Sequence, residues 1–85
     1  MDVSLLTAFV RVSEVGSISE AAPVLGYSQP GLSQRIQSLE RRLGCRLFER
    51  SPSGVVLTRT GAAVLPYARI MMTVADELAA QVRRT

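Results

Sequence analysis

The chain contains no histidine, no lysine and no tryptophan, and only one cysteine, in 85 residues. Without histidine there is no imidazole base, no Cys–His or Ser–His pair and no histidine-bearing metal site. A single cysteine cannot close a disulfide within the chain. Cys45 sits among apolar neighbours and reads as a small buried hydrophobe, not a reactive thiol. The seven acids do not cluster, so no nucleophile, base or metal site can be assembled. The expectation is a protein that is not an enzyme, with no catalytic residue, no metal and no cofactor of its own.

Long apolar runs are missing as well. The most apolar stretch, Ala62 to Ala80, is broken by Arg69, Asp76 and Glu77, which argues against a membrane span. Asp2 follows the first residue with no basic lead-in, unlike a secretory signal. A cytoplasmic protein is expected.

What is present is a core and a positive charge. Hydrophobic residues make up 47% of the chain, enough for one small packed domain. The net charge is +3 and the sequence pI is near 10.0, which mildly favours a polyanionic partner. All ten basic residues are arginine, a bias that coding composition explains without any function.

Leu5, Leu6, Phe9, Val10 and Val12 predict a helix from about Val3 to Val15, capped by Asp2 and ended by Gly16. Ser17 and Glu20 have capping-box spacing and open a second helix carrying Ile18, Ala21, Ala22 and Leu25. After Gly26, Ser28 is the next N-cap, with Tyr27 and Leu32 placed as a hydrophobic staple. Pro30 lies in the first turn, where its missing N–H costs nothing. Leu32, Ile36, Leu39 and Leu43 then form one core stripe up to Gly44. Ser51-Pro52-Ser53-Gly54, between Leu47-Phe48 and Val55-Val56-Leu57, reads as the turn of a short β-hairpin. Thr58 or Thr60 caps a final helix that runs to about Arg83.

That last helix has two adjacent apolar stripes. Gly61, Leu65, Ala68, Met72, Ala75, Ala79 and Val82 alternate steps of four and three; Val64, Tyr67, Met71, Val74 and Leu78 lie beside them. The face is wider than a small domain covers and has the spacing of a coiled-coil seam. A homodimer interface through Val64, Leu65, Ala68, Met71, Met72, Ala75, Leu78 and Ala79 is the expectation. Packing on the chain's own core is the competing one.

The third helix is the most informative segment. At about 100° per residue, Pro30, Gln34, Gln37 and Arg41 lie opposite the core stripe, flanked by Ser33 and Ser38. Gln29 projects from the first turn, and Arg35 lies nearer the core edge. This face is rich in amides and hydroxyls and carries no acid, whereas a merely solvated face mixes both charge signs. Amides and hydroxyls donate and accept, as base edges require, and glutamine matches adenine N6 and N7. The free N–H groups at the helix start suit a phosphate. The chemistry is that of a recognition helix over about residues 29–43, laid N-terminus first into the major groove of double-stranded DNA. The second and third helices and their tight turn make a helix-turn-helix at about residues 18–37.

The stretch "GSISEAAPVLGYSQPGLSQRIQSLERRLGCRLFER" followed by "LTRTG" resembles the N-terminal domain of LysR-type transcriptional regulators. The shared pieces run in fixed order over essentially the whole chain: Phe9, Gly16-Ser17-Ile18, Ala21-Ala22, Leu25, Ser28-Gln29-Pro30, Ser33, Ile36, Leu39-Glu40, Leu43-Gly44, Leu47 to Arg50, Leu57-Thr58 and Gly61. The resemblance implies a mainly α fold: a winged helix-turn-helix of three helices and a hairpin wing over residues 1–58, wing at about 46–57, then a linker helix over 59–85 that pairs two subunits. It implies DNA contacts from Ser28, Gln29, Pro30, Ser33 and Gln34, with wing contacts near Arg50 to Ser53. To these the helix reading adds Arg35 and Gln37. It also implies a C-terminal domain that binds a small-molecule effector and lies outside this chain, and a dimer on an interrupted inverted repeat.

Three departures stand out. The family often has Arg then Gln after the serine at 33; here the order is Gln34-Arg35. Gln34 thus takes the centre of the groove face, and Arg35 is left to meet a phosphate or pair with an acid. The wing tip, Ser51 to Gly54, carries no basic residue, so minor-groove readout should be weak. Pro23 falls inside the second helix, a distortion that the helix's first turn is expected to absorb. Pro66, ordinary for the family, is a place where the linker helix can bend. Glu40 and Glu49 read as partners for nearby arginines, and Arg50 as either such a partner or a phosphate contact. A winged helix used only for protein–protein contact remains the alternative to DNA binding.

Overall fold

Side-chain oxygens start each of the four helices among the described residues. In the computed structural model, which describes residues 2–85, Asp2 accepts the backbone N–H of Ser4 and begins α1 (Val3–Val15). Ser17 accepts that of Glu20 and begins α2 (Ile18–Leu25). Ser28 accepts that of Gly31 and begins α3 (Gln29–Leu43). A hairpin, β1 (Phe48–Ser51) and β2 (Gly54–Leu57), follows. Thr58, not Thr60, then caps α4 (Arg59–Arg84) through the N–H of Gly61. Each cap satisfies one of the donors that a helix start leaves free.

Two local expectations are corrected. Only half of the capping box at α2 forms: the Ser17 hydroxyl takes the Glu20 N–H at 3.2 Å, but its second neighbour is the Ser19 hydroxyl at 3.0 Å, and the Glu20 carboxylate does not close back. Pro23 is the sixth of eight residues in α2, past the first turn. It is exposed, as is Ser19, whose carbonyl loses its helical donor. Water can reach that carbonyl, so α2 runs through the proline.

The core is built around α1. Phe9 and Val12 from α1, Leu32, Ile36 and Leu39 from α3, and Leu47 ahead of the hairpin are its largest fully buried side chains. The stripe on α3 therefore faces inward as the spacing predicts, except at its end, where Leu43 is 39% exposed. The Phe48 ring meets the Phe9 ring edge-on, with centroids 5.4 Å apart and planes at 62°.

The hairpin pairs Phe48 with Leu57, Glu49 with Val56, Arg50 with Val55 and Ser51 with Gly54. It is anchored at two points. At its far end, the Val55 N–H donates to the Gly16 carbonyl at 3.0 Å. Gly54 has φ +140°, and a Cβ there would collide with that same Gly16 oxygen, so only glycine lets the wing rest on the α1–α2 turn. At its near end, the Glu40 carboxylate accepts the Leu47 N–H at 2.7 Å and the Phe48 N–H at 3.3 Å. Glu40 does pair with an arginine, Arg46, at 3.9 Å, but backbone amides at the strand entry are its closer donors. Glu49 makes no ion pair among the described residues and is exposed. Glu40→Ala leaves two part-buried amides unpaired and is expected to cost about 1–3 kcal/mol of stability in urea unfolding. A loss below about 0.5 kcal/mol would show that the wing does not depend on this carboxylate.

Helix α4 leaves the hairpin at a tight junction. Thr58 Oγ1 donates to the Arg46 carbonyl at 2.7 Å, and a Cβ on Gly61 would collide with the Leu47 carbonyl. The helix runs without a break past Pro66 for 26 residues. At 1.5 Å per residue that is about 39 Å, long against the 48 × 26 × 19 Å extents of the molecule. Its first half lies along α1. Ala68 is only 5% exposed, and Val64, Leu65 and Met72 pack partly buried on the same core. These four were expected at a dimer interface, and the structure turns them toward the chain's own interior. A four-three spacing serves either use, and proximity to α1 decides it here. Met71, Leu78 and Ala79 remain exposed and Ala75 half-buried. No helix among the described residues is long and apolar enough to cross a membrane.

Candidate nucleic-acid interface

The exposed ridge of α3 carries Gln29, Pro30, Gln34, Gln37 and Arg41, with Ser33 half-buried at its side. Pro30 stands in the first turn. Ser28, exposed, spends its hydroxyl on the Gly31 N–H at 3.1 Å. The ridge has no acid, and it lies between two grooves.

One groove, of ≈ 360 Å³, separates the starts of α2 and α3 from the wing. Ser17, Ser19, Glu20, Gln29, Arg50 and Ser53 line it. Arg50 crosses from β1 and donates to the Ser33 hydroxyl at 2.7 Å. Of the two readings of Arg50, the acid partner is not what forms: the guanidinium donates to a hydroxyl of α3, and Arg50 stays exposed on the groove. Ser53 is exposed at the wing turn, where its hydroxyl meets that of Ser51 at 3.2 Å. Ser19 and Glu20 were not anticipated here. The available cue is that the first helix of a helix-turn-helix crosses the backbone of its target.

The other groove, of ≈ 610 Å³, lies on the α1 side and includes Asp2, Tyr27, Gln34, Arg35, Arg41 and Arg42. Arg35, expected at the DNA, is turned inward. Its Nη1 donates to the Ser4 hydroxyl at 2.8 Å, and its guanidinium carbon sits 4.8 Å from the centre of the Tyr27 ring. Ser4 in turn donates to Asp2 Oδ1 at 2.8 Å. The bonds from Ser4, side chain first and backbone second, hold the Asp2 carboxyl below its ordinary range, and the charges of Arg35 and Arg42 act in the same direction.

The described residues hold no cluster of three or more potential metal ligands. The combination is a helix-turn-helix, a two-stranded wing and a projecting helix. The family model described as "bacterial regulatory helix-turn-helix protein, lysR family" matches residues 3–62.

The chain belongs to the lysR family.

Among its relatives, an HTH-type transcriptional regulator from the ibpB–leuC intergenic region of Azotobacter vinelandii is 44% identical over 77 residues, covering 91% of this chain and 54% of that protein. The regulator TfdT of Cupriavidus pinatubonensis is 43% identical over 72 residues, covering 85% and 32%. This lysR-family chain thus spans about half or less of the curated relatives it matches. Among solved structures, the CbnR DNA-binding domain in complex with DNA superposes with a TM-score of 0.91 at 37% identity, covering 99% of this chain and 97% of that one. The BenM DNA-binding domain on benA site 1 DNA gives 0.90 at 36% identity, covering 99% and 94%. The winged helix-turn-helix fold is the one the sequence implied, and the family is one of transcriptional regulators, not enzymes.

Proposed function

We propose that this chain is the DNA-binding part of a LysR-type transcriptional regulator, which reads double-stranded DNA as a dimer on an interrupted inverted repeat. The observation that carries this is the acid-free ridge of α3, raised between two grooves. A ridge of amides fits the major groove, and the grooves on either side leave room for the two backbones. Gln34, at its centre, is placed to pair with an adenine edge; Gln29, Ser33 and Gln37 have the same donor–acceptor chemistry. In the first turn, at Ser28 and Pro30, the Gln29 N–H is the one left to a phosphate, since Pro30 has none and the Ser28 hydroxyl takes that of Gly31. Arg50 and Ser53 flank the wing-side groove as backbone contacts. A surface for protein contact alone gives no reason for excluding acids from that ridge.

The second copy is argued from α4. Tyr67, Ile70, Met71, Val74, Leu78 and Val82 are all exposed large apolar side chains, and a patch of this size seldom stays bare. At its base the stripe runs into an apolar cleft of ≈ 220 Å³ lined by Leu6, Phe9, Leu43, Val64 and Tyr67 among others, which accounts for the half-open Leu43. Met71, Ala75, Leu78 and Ala79 are the positions kept from the sequence reading. The regulator is cytoplasmic in this reading. These residues need no cofactor, and a small-molecule effector would bind a further domain of the kind the longer relatives have room for.

The test is binding to duplex DNA across salt concentrations. Phosphate contacts give log K a slope of about −0.9 per phosphate against log salt; salt-independent binding contradicts the reading. Gln34→Ala is then expected to cost about 1–3 kcal/mol on the preferred site and to relax preference at one base pair. Equal loss on every sequence would instead make Gln34 a phosphate contact.

A further inference from the structure

We infer that Arg35 is a positioning residue for base reading: it aims α3 by latching it to α1 and to the α2–α3 turn, and does not itself contact DNA. The inference rests on the DNA-binding reading of α3, but its structural half can be tested without DNA.

The latch joins three segments through one side chain. Helical side chains lean toward the N-terminus of their helix, which brings the Arg35 guanidinium back to Tyr27, the residue before the α3 N-cap. From there Nη1 reaches Ser4 in the first turn of α1. The proton order is consistent along the line. Ser4 gives its one hydroxyl proton to Asp2 Oδ1, which leaves its lone pairs to accept from Arg35. Arg35 is half-buried, and its guanidinium is met by a ring face and a hydroxyl at once, a pairing that suits a planar cation with donors at its edge.

The consequence falls on the residue next door. Leu32, Ile36 and Leu39 bury one line along α3, and a single line is a pivot about which the helix can roll. The latch lies to one side of that line, in the half of α3 that carries Gln29, Ser33 and Gln34. On the opposite side, Arg50 holds Ser33. The two arginines brace the reading half of the helix from both flanks.

The experiment compares the wild type with Arg35→Gln, Ser4→Ala and the double variant. Thermal unfolding without DNA comes first. Both single variants should melt lower, and the double should lose less than the sum of the two, because the Ser4–Asp2 bond is lost in either background with Ser4→Ala; fully additive losses would mean that no latch exists. Binding is then measured well below the melting temperatures, on the preferred duplex and on its single-base variants. Each single variant should lose about tenfold in discrimination at the base pair read by Gln34, of the order set by one mismatch, with the double no worse and the salt slope unchanged. A slope reduced by about one with discrimination intact, and a silent Ser4→Ala, would make Arg35 a phosphate contact and overturn the inference. Lower melting with slope and discrimination both intact would reduce the latch to packing, and overturn it too. If the wild type binds no duplex, the DNA-binding reading fails and base aiming with it, while the unfolding cycle still decides the latch.

Discussion

Leu78→Glu is expected to leave a folded monomer that binds a two-part site about 10²–10⁴-fold more weakly than the parent, while a single half-site is bound almost as before. Leu78 is 68% exposed on α4, so a charge there costs the isolated fold about 0.5 kcal/mol or less. In a dimer the same charge would be buried against apolar side chains with no partner. The choice of position matters. Leu65 and Met72, which the seam spacing marks equally well, pack on the chain's own core, and a charge at either would unfold the domain and test nothing about assembly. Sedimentation of the two proteins reads the mass, and titration of whole and half sites reads the coupling. An unchanged mass in Leu78→Glu would remove α4 as the interface.

Phe48→Ala is expected to lose about 3–5 kcal/mol of folding free energy. That is a large part of the roughly 4–13 kcal/mol available to a domain of this length. Phe48 is 3% exposed and its ring meets Phe9 edge-on. The same residue brings β1 against α3, through its N–H on the Glu40 carboxylate. Removing the ring therefore opens a cavity under the root of the wing. Val56→Ala, on the exposed side of β2, should move stability by less than about 0.5 kcal/mol. Urea unfolding of both gives the comparison. A Phe48→Ala loss below about 1 kcal/mol would mean that the wing is not held by the core.

The helix ends were legible because their causes are local. Asp2, Ser17, Ser28 and Thr58 cap helices by bonding to amides two or three residues away, and a spacing of that kind is visible in the string. The burial of Leu32, Ile36 and Leu39 followed from period alone, and so did the exposure of Gln34, Gln37 and Arg41. What escaped depends on distant partners. Arg35 and Ser4 are 31 positions apart, and Arg50 and Ser33 are 17. The arginine partner of Glu40 was legible, but its two closer amide donors, Leu47 and Phe48, were not. Gly61 carried a place in the apolar stripe, whereas its role is the close approach of α4 to the Leu47 carbonyl. The split of α4 between its own core and an open face could not be read from spacing, since both uses obey the same period.

The most direct test of DNA reading by α3 is selection of this chain's preferred sites from random-sequence duplex DNA, at low and at moderate salt. Enrichment of an interrupted inverted repeat is expected, with affinity falling steeply as salt rises. Absence of binding at low salt would contradict it and return the ridge of α3 to a protein-contact surface.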